Sequence, residues 1–158
     1  MSKKFLIVYY SHSSNTCKLA KLIAEETGGT ICELVPEKAY PDDYNTIVEQ
    51  AKQEIQAGFR PELKTKVNDL ASYATVFVGT PNWCSTIAPP VATFLESYNL
   101  SGKNVAPFCT HGGGGSGYIE VTIKKLCPNA AVRPILSVYG GTAKDSQVES
   151  GLKKIGVK

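Results

Sequence analysis

The sequence has few of the residues that mark a nucleic-acid-binding or membrane protein. Arginine occurs only at Arg60 and Arg133, the lysines are scattered, and the formal net charge is +3. No basic run or mixed basic and aromatic patch is present, so nucleic-acid binding is not expected. No apolar run approaches the length of a membrane span. The run after Lys3 and Lys4 is too short for a signal peptide and has no small-residue cleavage site, so a cytoplasmic protein is expected.

Disulfide, metal and common nucleotide motifs are also missing. The five cysteines are an odd number and none lies in a C-x-x-C motif. Reduced thiols are therefore expected, rather than a disulfide framework or a metal site. No G-x-x-x-x-G-K-[ST] occurs, and no G-x-G-x-x-G follows the first apolar segment. Any phosphate site must use other donors.

Five apolar segments alternate with amphipathic segments over 158 residues, which fits one domain, 1–158. The apolar segments predict strands at 5–10, 30–35, 74–79, 104–109 and 131–138, and Pro134 places the last at an edge or a bulge. Helical spacing follows at 17–26, 44–55, from Pro89 onward and at 118–127, and a last helix is expected from a Ser146–Glu149 capping box. This alternation predicts an α/β fold, with helices on both faces of a doubly wound, five-stranded parallel sheet in three layers.

Three unusual loops follow predicted strands one, three and four, at 11–16, 80–88 and 110–117. Ligands of such sheets bind outside the carboxyl ends of the strands, so these loops are expected to converge on one rim. The first loop has hydroxyls and an amide directly before a helix, which suits a phosphate held by neutral donors. The alternative is that these residues only cap the helix.

The other two loops suggest the rest of a ligand. Trp83, the only tryptophan, offers a flat surface for stacking in an exposed loop, or else fills a gap under that loop. The loop 110–117 has five glycines, which either let a ligand approach the backbone or make the loop mobile. A phosphate site, a stacking ring and a backbone-lined slot together outline a flavin mononucleotide (FMN).

The sequence resembles the flavodoxin family over essentially the whole chain, and two segments are the specific matches. Val8 to Thr16 is similar to the family's first strand and its T/S-x-T-G-N-T phosphate loop. Gly79 to Thr86, with the Pro89-Pro90 helix start, resembles the G-x-P-x-W-W-G-T motif of short bacterial members. The resemblance implies strand order 2-1-3-4-5, non-covalent FMN, and electron transfer between redox partner proteins. It requires no catalytic side chain, because the cofactor supplies the chemistry.

The resemblance also implies a set of site residues. The phosphate would be held by Ser11, His12, Ser13, Ser14, Asn15 and Thr16, although the His12 side chain is expected to point into solvent. One side of the flavin ring would be lined by Thr80, Pro81, Asn82, Trp83, Cys84 and Thr86. Its other edge would be approached by Thr110, His111, Gly112 and Gly113, with Tyr118 or His111 as the aromatic on the outer face.

Several positions depart from the family pattern. Ser14 and Ser85 stand where glycine is usual, and Cys84 replaces a second tryptophan. Ser14 must avoid or tolerate a positive φ, and Ser85 disfavours the peptide flip that the family glycine permits. The chain is mildly basic, which predicts a less negative flavin potential than in acidic flavodoxins. Two other functions remain open, namely an NAD(P)H-dependent flavin or quinone reductase and a binding module that has lost its flavin.

Overall fold

Residues 4–157, which the computed structural model describes, form six strands, five α-helices and a short 3-10 helix. Lys3, which precedes the short apolar run discussed above, lies outside these residues. The strands are β1 Phe5–Tyr9, β2 Thr30–Glu33, β3 Thr75–Pro81, β4 Asn104–His111, β5 Ala131–Val132 and β6 Leu136–Tyr139. The helices are α1 Asn15–Thr27, α2 Tyr44–Ala57, α3 Pro89–Ser97, α4 Ile119–Leu126 and α5 Asp145–Lys154, and the 3-10 helix is Leu70–Ser72.

The sheet is parallel throughout, in the order β2-β1-β3-β4-β5, with β6 also beside β4. This order confirms the predicted fold class. The strand order reverses between β1 and β3, whose register pairs Val8 with Val78. Parallel doubly wound sheets bind ligands at this reversal, beyond the carboxyl ends of the strands.

The predicted fifth strand, 131–138, is interrupted. Its halves, β5 and β6, both pair with β4, and Pro134 lies in the gap between them. Proline has no N–H to donate to a ladder, so continuous pairing fails there. The next amide, Ile135 N–H, donates to Glu120 Oε1 at 3.1 Å. A side chain of α4 therefore satisfies the backbone group that the interruption leaves without a strand partner.

Two apolar layers cover the sheet. One joins α1 and α5 to alternate strand residues such as Ile7 and Phe77, and the other joins α2, α3 and α4 to the intervening residues such as Val8 and Val76. The period of two along each strand sends successive side chains to opposite faces, which explains the unbroken apolar runs of β1 and β3. By contrast, β2 lies at an edge and is largely exposed.

Some predicted boundaries were wrong. Helix α5 begins at Asp145, where Lys144 N–H donates to Gln147 Oε1 at 3.0 Å, so the predicted Ser146–Glu149 capping box lies inside the helix. Helix α1 starts at Asn15, and β3 and β4 continue to Pro81 and His111. Within residues 4–157, no helix has the length and apolar character needed to cross a membrane.

Candidate functional site at the carboxyl edge of the sheet

The start of α1 leaves its first turn open to a ligand. Ser14 precedes the helix with φ 70°, in the left-handed region, and its side chain makes no capping hydrogen bond. The first turn contains no acidic side chain. Cys17 N–H donates to Ser11 Oγ at 3.2 Å, which folds the loop back over the helix. Because the first helical amides have no partner within a helix, this end of α1 attracts an anion.

A buried hydroxyl pair joins α1 to β4. Thr16 Oγ1 and Thr110 Oγ1 lie 2.8 Å apart, and both residues are at most 5% exposed. Two hydroxyls can satisfy each other because each can donate and accept. This contact confirms that the first and third predicted loops meet. Thr110 is the penultimate residue of strand β4 rather than part of the loop itself.

The loop after β3 contains a tight hairpin. Trp83 and Thr86 exchange both backbone hydrogen bonds, each at 3.0 Å, across Cys84 and Ser85. Those two residues have φ values of 54° and 69°. Positive φ at both central positions defines a type I′ turn, which normally uses asparagine and glycine. Cys84 and Ser85, which depart from the family pattern, therefore adopt left-handed backbone and do not redirect the chain.

The loop after β4 packs directly on this hairpin. Asn82 Nδ2 donates to the Gly115 carbonyl at 2.7 Å, and Tyr118 N–H donates to the Ser85 carbonyl at 2.6 Å. At Gly117, a side chain would place its Cβ 2.6 Å from the Ser85 carbonyl oxygen, so only glycine permits this approach. The glycine-rich segment is therefore anchored at two points, which argues against a free surface loop.

Trp83 is half-buried instead of exposed as predicted. Its ring meets Tyr40 edge-on at 5.0 Å and Tyr10 at 5.4 Å between centroids. His12 lies 6.2 Å from the same ring, and its Nε2 is 2.9 Å from the Pro41 carbonyl. Trp83 thus packs under the rim as well as lining it, and His12 is held by a hydrogen bond rather than solvated.

Two threonines assigned to the ring side have structural roles. Thr80 is fully buried, and its hydroxyl accepts from Ala88 N–H at 2.9 Å, which fixes the start of α3. Thr86 Oγ1 lies 2.9 Å from Thr122 Oγ1 on α4. Both hold the loop in position. Asn82 and the exposed residues Cys84 and Ser85 are the polar groups of this loop that lie nearer the surface.

A fourth segment, after β6, joins the rim and was missed from the sequence. Tyr139 is 58% exposed and meets the His111 ring edge-on at 5.8 Å. His111 Nδ1 accepts from Gly113 N–H at 3.0 Å. At Gly141, a Cβ would lie 2.9 Å from Asn15 Oδ1, so glycine allows this segment to approach α1. The Tyr139-Gly140-Gly141 sequence was the available signal for this approach.

Tyr118 and Tyr139 are the exposed aromatic side chains near the glycine-rich loop, at 68% and 58%. Tyr118 precedes α4, next to the hairpin that its amide contacts. The predicted outer-face candidates were Tyr118 and His111, and the structure adds Tyr139 beside His111. Gly112 and Gly113 are exposed between them, with space for a ligand against the backbone.

The tyrosines beneath the rim are held in the neutral form. Burial raises the pKa of Tyr9, assisted by a 3.4 Å contact between its hydroxyl and Cys17 Sγ. Burial likewise raises the pKa of Tyr10, and burial together with the Glu54 hydrogen bond raises that of Tyr40. No charged tyrosine therefore opposes an anion at neutral pH.

The donor chemistry fits a phosphate monoester attached to a flat ring. Neutral hydroxyls and helix amides are available at the α1 end, while glycine backbone and aromatic side chains border the neighbouring loops. No group of three or more His, Cys, Asp or Glu side chains suited to a metal ion occurs among residues 4–157.

Comparisons with known proteins agree with this geometry. A family model described as Flavodoxin matches residues 4–153. A candidate flavoprotein from Bacteroides eggerthii is 27% identical with a TM-score of 0.87, covering 98% of this chain and 99% of that one. A second, from Bacteroides uniformis, is 29% identical with a TM-score of 0.85, covering 98% and 100%.

A third similar structure contains a ligand. It is a flavoprotein from Lactobacillus acidophilus in complex with FMN, 26% identical with a TM-score of 0.71, covering 94% of this chain and 97% of that one. No curated protein matches the sequence.

Proposed function

Because the chain belongs to the flavodoxin family, we propose that it binds FMN non-covalently and carries electrons between redox partner proteins. The bound cofactor would supply one- and two-electron chemistry, while the protein orients it and sets its electrostatic surroundings. The similar flavoprotein with FMN supports the choice of cofactor.

One observation carries the proposal most directly, namely that Ser14 gives the first turn of α1 no side-chain cap at the meeting point of the three loops. Ser14 makes no side-chain cap, and the Thr16–Thr110 hydroxyl pair places this turn against the end of β4. A serine at this position usually accepts from an amide of the first turn, as Asp43 does for α2, and Ser14 does not. The amides of Asn15 and Thr16 and the hydroxyls of Ser11 and Ser13 are the groups that would hold the phosphate.

The ring side would be formed by backbone and aromatic groups. The hairpin at Trp83 and the glycine-rich loop are fixed to each other through Asn82 and Tyr118. The exposed backbone of Gly112 and Gly113 lets a flat ligand approach without side-chain interference. Tyr118 and Tyr139 are available to cover the outer face of the ring.

The first experiment is a titration of flavin-free protein with FMN and with riboflavin, followed by flavin absorbance and fluorescence. FMN should bind at least about 100-fold more tightly, because two hydrogen bonds to a charged group contribute roughly 3 kcal/mol or more together. Equal affinities for FMN and riboflavin would contradict a phosphate site. If neither flavin binds, the proposal is overturned.

A matched pair of serines locates the phosphate. Ser13→Ala should lower the affinity for FMN and leave the affinity for riboflavin unchanged, since Ser13 is exposed in the loop before α1. Ser101→Ala removes an equally exposed hydroxyl just before β4, at the opposite edge of the sheet, and should change neither affinity.

One observation favours a second function, an NAD(P)H-dependent reductase. A cleft of about 380 Å³ lies between α2 and the hairpin, lined by Tyr44, Val48, Pro81 and Trp83 among others. Tyr44 and Val48, which belong to the apolar spacing of this helix, are 70% and 43% exposed there. Such a cleft could receive a second planar molecule. Rapid NADH or NADPH oxidation by the FMN-loaded protein alone would favour the reductase, and its absence would favour the carrier.

A further inference from the structure

A line of side chains leads from the rim of the site to a second cleft. The Trp83 ring meets the Tyr40 ring edge-on, with centroids 5.0 Å apart and planes at 79°. The Tyr40 hydroxyl donates to Glu54 Oε1 at 2.6 Å. A distance this short is typical of a hydroxyl bonded to a carboxylate. An indole, a phenol and a proton acceptor are therefore in direct sequence.

The carboxylate is held for this contact. Gln50 Nε2 donates to Glu54 Oε2 at 2.8 Å, which leaves Oε1 to the phenol. Tyr40, Gln50 and Glu54 also line a cleft of about 440 Å³ at the surface, between α2 and residues 59–62. A proton received by Glu54 can therefore exchange with solvent in that cleft.

Tyr10 provides a comparison within the same cluster. Its ring is 5.4 Å from Trp83, nearly as close as Tyr40. Across residues 4–157, however, no carboxylate lies within hydrogen-bonding distance of the Tyr10 hydroxyl. The two tyrosines share the indole as neighbour and differ in whether a base is available for the phenolic proton.

We propose that Trp83, Tyr40 and Glu54 form a relay that carries an oxidising equivalent from the site to the second cleft, with electron transfer coupled to proton transfer. The relay does not depend on FMN and goes beyond the proposed function. Its effect would be to move damage caused by a strong one-electron oxidant away from the ligand loops.

A one-electron oxidant of the inorganic-radical class removes an electron from the Trp83 indole. Tyr40 returns an electron to the indole, and its O–H proton passes to Glu54 Oε1. The products are intact Trp83, a neutral Tyr40 radical and protonated Glu54. A thiol in solution then gives Tyr40 a hydrogen atom and becomes a thiyl radical, while Glu54 releases its proton to water.

The environment of Tyr40 makes the proton acceptor necessary. Burial and the Glu54 hydrogen bond raise its pKa, so the phenol is protonated at neutral pH. Oxidation of a buried phenol without removal of its proton leaves an unfavourable buried charge. A base within 2.6–3.2 Å is the geometry required for proton removal, and Glu54 provides it.

The test is pulse radiolysis of the flavin-free full chain with azide radicals. The chain has a single tryptophan, so the tryptophan radical is unambiguous. The band of that radical should decay at the same rate as a tyrosine radical band appears, and this rate should fall in D₂O. Tyr40→Phe should abolish the coupled phase, and Glu54→Gln should slow it while preserving an acceptor oxygen.

Two further variants serve as controls. Tyr10→Phe and Tyr139→Phe should leave the coupled phase unchanged, since one lacks a carboxylate partner and the other contacts His111. Circular dichroism of every variant verifies folding. The relay is overturned if Tyr40→Phe or Glu54→Gln transfers at the wild-type rate, or if Tyr10→Phe removes the phase instead.

Discussion

At the scale of single residues, the buried hydroxyl pair of Thr16 and Thr110 connects the first turn of α1 to β4, a central strand of the sheet. Thr110→Val removes one hydroxyl and leaves Thr16 Oγ1 buried without this partner. The free energy of unfolding should fall by about 1–3 kcal/mol, the cost of an unsatisfied buried polar group. Urea denaturation of the flavin-free protein measures this change.

The control for that variant is Thr142→Val. The Thr142 hydroxyl donates to the Tyr139 carbonyl at an exposed position, where water can replace it. Its loss should change stability by less than about 0.5 kcal/mol. If the two variants are equally stable, the buried pair has no special role.

The buried tyrosines predict a loss of stability at alkaline pH. Burial raises the pKa of Tyr9, Tyr10 and Tyr40 in the folded state. The unfolded chain therefore releases these protons first, and stability that is fully present below the unfolded value of about 10 declines as pH rises above it. Comparing variants at each pH separates the contribution of one tyrosine from those of all other groups.

Tyr40→Phe isolates one of these contributions. Between neutral and alkaline pH, this variant should lose less stability than the wild type, as measured by urea denaturation at each pH. Tyr139→Phe removes a largely exposed phenol and should keep the wild-type dependence. Identical curves for wild type and Tyr40→Phe would show that the raised pKa has no energetic consequence.

The kind of chemistry that a loop offers was easier to predict than the hydrogen-bond partner of each of its side chains. The hydroxyls and amide of 11–16 indicated an anion site, but sequence does not reveal that Ser14 leaves the helix uncapped. Thr80 was assigned to the ligand, and it instead accepts from Ala88 N–H. A buried hydroxyl and a ligand-facing hydroxyl look alike in sequence, because the distinction depends on how loops return across the sheet.

At the scale of elements, the hairpin at Cys84 and Ser85 stores backbone strain beside the site. Both residues occupy left-handed backbone that costs non-glycine residues roughly 1–2 kcal/mol each. Ser85→Gly should therefore raise the free energy of unfolding by roughly 0.5–1 kcal/mol, after allowing for greater freedom of glycine in the unfolded chain. Urea denaturation tests the sign.

Ser150→Gly is the matched change within α5, where left-handed backbone is not required. It should destabilise the protein by a few tenths of a kcal/mol, because glycine is the poorer helix former. A loss of stability in both variants would contradict the strain assigned to the hairpin.

The elements themselves were largely predictable, since periodicity along the chain reflects which face is buried. The apolar runs of β1 and β3 and the helical spacing of α1 are examples. The last strand of the sheet was not predictable in the same way, because Pro134 could indicate an edge, a bulge or an interruption. The interruption is stabilised by Glu120, a distant side chain whose contact with Ile135 no local pattern reports.

At the scale of the whole molecule, a net charge of +3 predicts a flavin that is easier to reduce than in acidic flavodoxins. One carboxylate about 10 Å from the ring, at an effective dielectric of about 40, contributes roughly 0.8 kcal/mol, or on the order of 35 mV for one electron. A redox titration of the FMN-loaded protein should give a less negative potential than an acidic flavodoxin. A potential equal to, or more negative than, that of the acidic flavodoxin would refute this expectation.

A variant pair isolates the effect of charge. Gly112 is exposed, has no positive φ, and a Cβ there meets nothing within 4 Å. Gly112→Asp should lower the potential relative to Gly112→Asn, which adds the same shape without charge. Equal potentials for the two variants would mean that charge at this rim does not tune the flavin.

The convergence of the loops was predictable because it follows from topology: parallel strands end at one edge. The hydrogen bond from Asn82 to Gly115 confirms it for the loops after β3 and β4. The approach of Tyr139 and Gly141 was missed, because the segment after β6 has neither the tryptophan of loop 80–88 nor the cluster of hydroxyls of loop 11–16. Its role depends on β6 pairing with β4 beyond the interruption.

We propose that loops 11–16, 80–88 and 110–117 form a single FMN site with the phosphate at the start of α1. Amide chemical shifts of ¹⁵N-labelled, flavin-free protein, recorded as FMN is added, test it most directly. All three loops should shift together, and riboflavin should reproduce the changes at 80–88 and 110–117 but not the largest ones at 13–16. Changes confined to one loop, or centred on residues 36–62, would contradict it.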